Sequence, residues 1–175
     1  AYCWGDGMPD EYLAAPMSFA FDGSPEPGIR SVELGTNFGC VVSVGNEIYC
    51  WGHDERGQLG KGELVGDVFE PGDLGPVDLG SISSGNPTVE RLVLGDHHAC
   101  ATLRDAAGPI SACWGANDAG QLGIAREGDA HTPERVRTVA SNADQLVGAG
   151  AEHTCLGFRR PGEGGGGRVA CFGAN

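Results

Sequence analysis

One eleven-residue phrase is written twice in this chain. Residues 50–60 read CWGHDERGQLG and residues 113–123 read CWGANDAGQLG, with seven of the eleven positions identical. A second phrase, a glycine followed five residues later by a cysteine, occurs at Gly35–Cys40, Gly95–Cys100 and Gly150–Cys155. Recurrence at a spacing of this order is typical of a structural unit that is stacked several times, because one such unit cannot bury its own apolar face.

Each unit reads as four short strands. Apolar alternation precedes the Gly-to-Cys phrase, a Gly-bearing turn separates it from the Cys-Trp-Gly phrase, and a Gly-Gln-Leu-Gly turn leads to another strand. With 31 Gly and 10 Pro in 175 residues, glycine and proline interrupt every window long enough for a helix. The sequence predicts an all-β fold of β-propeller blades, each a four-stranded antiparallel sheet, with about three blades of a larger propeller.

The repeat also predicts where the blades divide. Boundaries fall roughly at 1–51, 52–114 and 115–175 within a single propeller segment. The chain opens on the closing phrase Tyr2-Cys3-Trp4-Gly5, and it stops at Asn175, where another turn phrase would begin. We therefore expect both ends to cut through a repeat of a longer protein.

The cysteines occupy the same two places in each unit, on either side of a predicted hairpin turn. Facing residues of a hairpin share a midpoint, and these midpoints (45, 106.5 and 163) all fall in turn-forming sequence. Directly opposed cysteines come close enough for a disulfide after a modest local pinch. The predicted pairs are Cys40–Cys50, Cys100–Cys113 and Cys155–Cys171, with Cys3 unpaired.

Other uses of the cysteines stay open. Buried free thiols are the alternative to disulfides, and Cys3 could bridge two chains. A zinc site is disfavoured because the sequence has no Cys-x-x-Cys spacing. Disulfides predict an oxidising location, which is extracellular, periplasmic or at the cell surface.

The order Gly-x-x-His-x-Cys followed by Cys-Trp-Gly-x-Asn-x-x-Gly-Gln-Leu-Gly resembles the regulator of chromosome condensation repeat, a propeller-blade motif, here of a disulfide-containing extracellular bacterial type. Phe38 replaces the His, Phe172 replaces the Trp, and residues 5–10 depart from the Gly-Gln-Leu-Gly turn. The resemblance implies binding through rim loops, as in a nuclear nucleotide-exchange factor and a secreted inhibitor of β-lactamases. The residues interpreted as structural repeat positions are Trp4, Trp51, Trp114, Gly57, Gln58, Leu59, Gly60, Gly120, Gln121, Leu122, Gly123, His98 and His153.

The sequence contains no sign of catalysis or of a cofactor. It lacks a Gly-x-Ser-x-Gly elbow, a phosphate-binding Gly-x-x-x-x-Gly-Lys and a His-Glu-x-x-His pattern. We expect His98 and His153 to hydrogen-bond neighbouring turns, and the tryptophans to be wedges between blades rather than ligand-stacking platforms. The prediction is a non-enzymatic module without metal or cofactor.

The charge of the chain and the position of its loops limit the class of partner. A net charge of −13 argues against nucleic acid, and no apolar run approaches the roughly 18 residues that predict membrane insertion. Three non-repeating stretches, Met8–Pro27, Glu63–Asn86 and Arg126–Arg137, are the predicted rim loops for a protein or glycan partner. The alternative is a structural element of a large surface assembly that contacts copies of itself. An exchange factor for a small GTPase and an enzyme are less favoured.

Overall fold

The computed structural model describes residues 2–3, 15–16, 28–70, 72–137, 145–159 and 167–174, and every regular element in those ranges is a β-strand. The strands are β1 Tyr2–Cys3, β2 Ala15–Pro16, β3 Ile29–Leu34, β4 Phe38–Ser43, β5 Ile48–Gly52, β6 Thr88–Leu94, β7 His98–Asp105, β8 Gly108–Gly115, β9 Ala130–Arg135, β10 Gln145–Ala149, β11 His153–Arg159 and β12 Gly167–Gly173. Across these ranges there is accordingly no helix with the length and apolar character that a membrane span requires.

The strands form antiparallel sheets in chain order. Strands β3, β4 and β5 make one sheet, β6 to β9 a second, and β10 to β12 a third, while β1 pairs with β2. Within each sheet, consecutive strands are hydrogen-bonded neighbours, as expected for propeller blades in which each unit is a simple meander. The predicted all-β architecture is confirmed.

The cysteines face each other across three hairpins. Cys40 is the register partner of Cys50 on β4 and β5, and the same relation holds for Cys100–Cys113 and Cys155–Cys171. Each pair is disulfide-bonded, with its Cα atoms 4.1 Å apart. Adjacent antiparallel strands place facing residues at this spacing only at a non-hydrogen-bonded pair.

The fourth strand differs between sheets. Only the β6–β9 sheet has four strands among the described residues. In the β3–β5 sheet the outer position holds an isolated bridge between Gly52 and Val68, and the Val77 amide donates to the Ile48 carbonyl. Neither residues 69–70 nor residues 72–76 belong to a strand, and proline at 76 lacks the N–H that a ladder needs. The stretch 126–137, expected to be an inserted loop, instead contains β9.

The core lies between the sheets. One face of the first sheet, with Phe38 and Ile48, packs on Ala101 and Trp114 of the second, and the opposite face of the second packs on Leu156 of the third. The indole Nε1 of fully buried Trp114 donates to the Gln58 carbonyl of the preceding phrase at 2.9 Å. Trp114 therefore lies as a wedge between neighbouring sheets.

Candidate functional site

The repeated phrase builds a self-contained turn. Asp54 Oδ1 accepts a hydrogen bond from the Leu59 amide, and Asn117 Oδ1 accepts one from the Leu122 amide at the equivalent place. A carboxylate or amide oxygen at this position satisfies a backbone N–H that the turn would otherwise leave unpaired. These recurring polar residues are committed to the scaffold.

The glutamine of the phrase has the same kind of task. Gln58 Oε1 accepts from the Arg56 amide, and Gln121 Oε1 accepts from the Ala119 amide, both at 2.9 Å. Gly57 and Gly120 adopt φ angles of 74° and 76°, which lie in the left-handed region that favours glycine. The recurring Gly-Gln-Leu-Gly residues are thus turn-forming, and a binding site must use other residues.

His98 lies at the seam between the second and third sheets. Its Nε2 is 2.9 Å from Thr154 Oγ1, and the side chain is fully buried. Burial lowers the pKa of His98 to about 4, so the ring is neutral at physiological pH. The partner is a hydroxyl on a strand of the next sheet rather than a neighbouring turn as expected. His153, in the equivalent slot, is exposed.

The antiparallel strands give the molecule two ends, which we name by their turns. The first rim carries the β3–β4, β6–β7 and β10–β11 turns, and the second rim carries the β4–β5 and β7–β8 turns. Strand β5 ends at the first rim and begins at the second. The insertion after it, residues 63–86, therefore connects the two rims along the outer edge of the first sheet.

The insertion is held in place by named contacts. Asp54 Oδ2 accepts from the Val65 amide at 3.0 Å, and Lys61 Nζ donates to the carbonyls of residues 74, 75 and 76. Burial lowers the pKa of Lys61 to about 8, which leaves the ammonium protonated at neutral pH. Val77 and Ile82 are buried against the sheets. The loop is thus built into the structure rather than appended to it.

The insertion is strongly acidic and exposes apolar side chains at the first rim. Residues 63–86 contain five carboxylate side chains and no Lys, Arg or His. Phe69 is 71% exposed and Leu64 is 52% exposed. In the sequence they lie on either side of Val68, which forms the bridge to Gly52. Between them the Asp67 carboxylate lies 3.0 Å from His53 Nδ1. We call Leu64, Phe69 and the acidic residues beside them the first-rim patch.

A cavity of about 400 Å³ opens at the second rim. The β4–β5 turn forms one wall with Asn46 and Glu47, and the insertion forms the other. Glu47 Oε2 accepts from the Tyr49 hydroxyl at 2.8 Å, and burial together with this bond raises the pKa of Tyr49, so the hydroxyl stays protonated. The residues that line the cavity are Gly45, Asn46, Glu47, Pro76, Val77, Asp78, Leu79, Gly80, Gly85, Asn86 and Pro87.

Neither rim assembles a reactive centre from described residues. Within the ranges that the structure covers, no three His, Cys, Asp or Glu side chains come together as a metal site. The cavity offers carboxylates, amides and apolar walls, which bind ligands but supply no nucleophile with a base. Sequence reasoning identified the insertion but not the cavity, since its second wall is an ordinary hairpin turn.

The remaining predicted residues either belong to the scaffold or lie outside the described residues. Trp51, Leu59 and Leu122 are buried in the apolar clusters, and Gly60 and Gly123 complete the recurring turns. Trp4 and most of the Met8–Pro27 stretch lie outside the described residues, as does the side chain of Cys3.

Comparison with known proteins places these repeats in a family. Residues 29–58 and 113–156 each match a model of the regulator of chromosome condensation (RCC1) repeat. These two segments, which together make up 74 of the 175 residues, match the RCC1 repeat. The match at residues 113–156 includes the whole second recurring turn, the match at residues 29–58 ends within the first, and the insertion at residues 63–86 lies outside both.

Several larger proteins are similar to this chain in sequence or in structure. The ultraviolet-B receptor UVR8 of Arabidopsis thaliana is 30% identical over 86% of this chain, and the probable E3 ubiquitin-protein ligase HERC4 of Homo sapiens is 29% identical over 72%. The crystal structure of Prp20p from Saccharomyces cerevisiae superposes with a TM-score of 0.57 and 18% identity over 79% of this chain. This chain spans only 31%, 11% and 30% of those three proteins, and the likeness to Prp20p shows the fold alone.

Proposed function

We propose that this chain is a non-catalytic, extracytoplasmic RCC1-repeat module that binds another protein through the first-rim patch. The single observation that carries the proposal is the exposure of Phe69 and Leu64 on an inserted, acidic loop. Aromatic side chains at the centre of interfaces supply much of the binding energy, and apolar side chains exposed together within a polar rim are typical of an interaction surface.

The charge of the patch indicates what the partner presents. Glu63, Asp67 and Glu70 flank the two apolar side chains, and the insertion has no positive side chain of its own. Complementarity therefore favours a protein surface with an apolar centre ringed by Lys or Arg. Protein binding by this fold has a precedent in Prp20p, which binds Gsp1p and histones.

The disulfides support the oxidising location. Cys40, Cys50, Cys100 and Cys113 are fully buried, so reductants reach them only when the sheets open. Three disulfides in a chain of 175 residues are compatible with an extracellular protein and are rare in reducing compartments.

The test is a site-specific photocrosslink. A benzoylphenylalanine placed at Phe69 should give one partner adduct when the protein is exposed to its native cell surface or secretome. The matched control is the same group at Val44, which is 64% exposed but lies on the second-rim side of the β4–β5 hairpin. The yield of this adduct should fall by about tenfold when Asp67 and Glu70 are replaced by Lys.

Three outcomes contradict this function. Equal adducts at positions 44 and 69 would show non-specific contact, and an adduct unaffected by the charge reversals would remove the electrostatic argument. An adduct only to copies of this chain would favour the surface-assembly alternative instead.

A further inference from the structure

The cavity at the second rim has the size and rigidity of a binding site. Its volume of about 400 Å³ falls within the range of roughly 300–1,000 Å³ seen for small-ligand pockets. On one wall, the Asn46 amide donates to the Ser43 carbonyl and closes the hairpin turn. On the other wall, Lys61 Nζ holds the Pro76 carbonyl, and Asp78 Oδ1 accepts from the Gly80 amide. Hydrogen bonds within the protein therefore hold both walls.

The cavity walls suit an aliphatic stem. The residues Val77, Leu79, Pro76 and Pro87 are all in the lining, so part of the cavity surface is apolar. No aromatic side chain is among the lining residues, which removes the stacking surface that sugar rings commonly use. This lining favours a chain of methylenes over a pyranose.

The polar side chains of the cavity are two carboxylates and two amides, so its charged groups are both negative. Glu47 and Asp78 contribute two carboxylates, and among the described residues neither forms an ion pair. The Arg30 guanidinium lies behind Asn46 and donates to Asn46 Oδ1 and to the Val89 carbonyl. Each carboxylate has two oxygens, so the bonds from Tyr49 and Gly80 leave acceptor capacity at both.

We infer that this cavity binds one guanidinium or alkylammonium group, with its aliphatic stem along Val77 and Leu79 and its charged head between Glu47 and Asp78. Lys and Arg combine an apolar stem with a cationic donor, which is the complement of these walls. The site is separate from the first-rim patch, and it does not depend on the function proposed above. The group could belong to a side chain of a partner protein or to a free diamine.

The test is a titration followed by amide NMR. N-acetyl-arginine methylamide should shift the amides of Gly45, Glu47, Asp78 and Gly80, and neutral N-acetyl-norleucine methylamide should not. The Glu47→Gln/Asp78→Asn double variant should weaken binding of the arginine probe by about tenfold, the sum of two partly exposed ion pairs. The matched control, Glu55→Gln/Asp73→Asn, removes the same charge from exposed positions outside both the lining and the first-rim patch and should change binding less than about twofold.

The two sources of the cation are separated by a second titration. Tighter binding of a peptide with one internal arginine than of putrescine assigns the site to a protein side chain, and the reverse assigns it to a free diamine. Norleucine binding as tight as arginine, or an equal loss in the control variant, would overturn the inference, as would the absence of shifts at millimolar probe. If the double variant fails to fold, Asp78→Asn alone makes the same comparison, because its amide oxygen still accepts from Gly80.

Discussion

At the residue scale, one slot of the repeat shows how neighbouring sheets are matched. Phe38 and His98 occupy the same slot, and each ring lies over a glycine three residues earlier, where an added Cβ would come within 2.3 Å of it. In the first sheet the slot is apolar and shares its cluster with Ala99 of the second sheet. In the second sheet it is His98, and the residue equivalent to Ala99 is Thr154, whose hydroxyl bonds the ring. The residue in this slot and the residue at the matching position of the next sheet therefore both differ between the two places.

Because the pKa of His98 is lowered to about 4 from an ordinary 6.5, acid should weaken the fold. Between pH 6.5 and 4 the unfolded chain binds a proton that the folded chain does not, so the free energy of unfolding falls as pH decreases. The loss attributable to His98 is about 3 kcal/mol at about 1.36 kcal/mol per pKa unit. Chemical denaturation across this pH range measures it.

A double variant isolates the effect. His98→Phe/Thr154→Ala copies the Phe38 and Ala99 pair and should flatten that part of the pH dependence. His98→Phe alone leaves the buried Thr154 hydroxyl with only the weak Cys100 Sγ contact at 3.6 Å and should cost about 1–3 kcal/mol. An unchanged slope in the double variant would assign the pH dependence to other groups.

At the element scale, the three hairpins differ in how their disulfides are protected. The first two pairs lie between sheets and are fully buried, whereas Cys171 on β12 is exposed and Cys155 is partly buried. The covalent link is the same in each hairpin, so accessibility decides which sulfur a reducing thiol attacks first.

We predict that the Cys155–Cys171 disulfide is reduced first in the native 175-residue chain. Brief exposure to a mild reductant followed by alkylation and peptide mapping should label those two cysteines, while Cys40, Cys50, Cys100 and Cys113 stay protected. The matched reference is the same reaction in denaturant, where all six of these cysteines should be freed together. Simultaneous labelling of all three pairs without denaturant would mean that reduction follows global unfolding.

At the scale of the whole molecule, sheets are joined by contacts between consecutive recurring turns. Arg56 of the first turn lies 2.7 Å from Asp129 and 2.5 Å from Asp118, both beside the second turn. These hydrogen bonds raise the pKa of Arg56. Burial raises the pKa of Asp129, but the bonds from Arg56 and the Asn117 amide outweigh it and leave the pKa lowered. The pair thus stays charged over the neutral range.

Arg56→Met should lower the free energy of unfolding by about 1 kcal/mol, and less at high salt, because the pair is only partly shielded from water. A double-mutant cycle with Asp129→Asn measures the coupling free energy between Arg56 and Asp129, and so between the two turns. The amide oxygen of the new Asn side chain can still accept from the Asn117 amide. A coupling energy near zero would show that packing alone joins the sheets.

The sequence was sufficient to predict the repeated hairpins and turns. It was insufficient to predict contacts between residues of different sheets. Hairpin midpoints predicted that Cys40 faces Cys50, because register within a hairpin follows from local spacing. The Thr154 partner of His98 lies 56 residues away in another sheet, and no local pattern encodes it. The cavity was missed for the same reason, since Asn46 and Asp78 meet only after the insertion folds back on the hairpin. The blade boundaries at 51 and 114 stay a prediction.

Lys61 is the only lysine in the sequence, and its ammonium is fully engaged by three carbonyl oxygens of the insertion. Acylation of that amine would remove the charge and two of the three donors that hold residues 74–76 in place. Coupling a resin or dye to the Lys61 amine would therefore disturb the cavity wall. The rate of Lys61 labelling measures how often that wall opens.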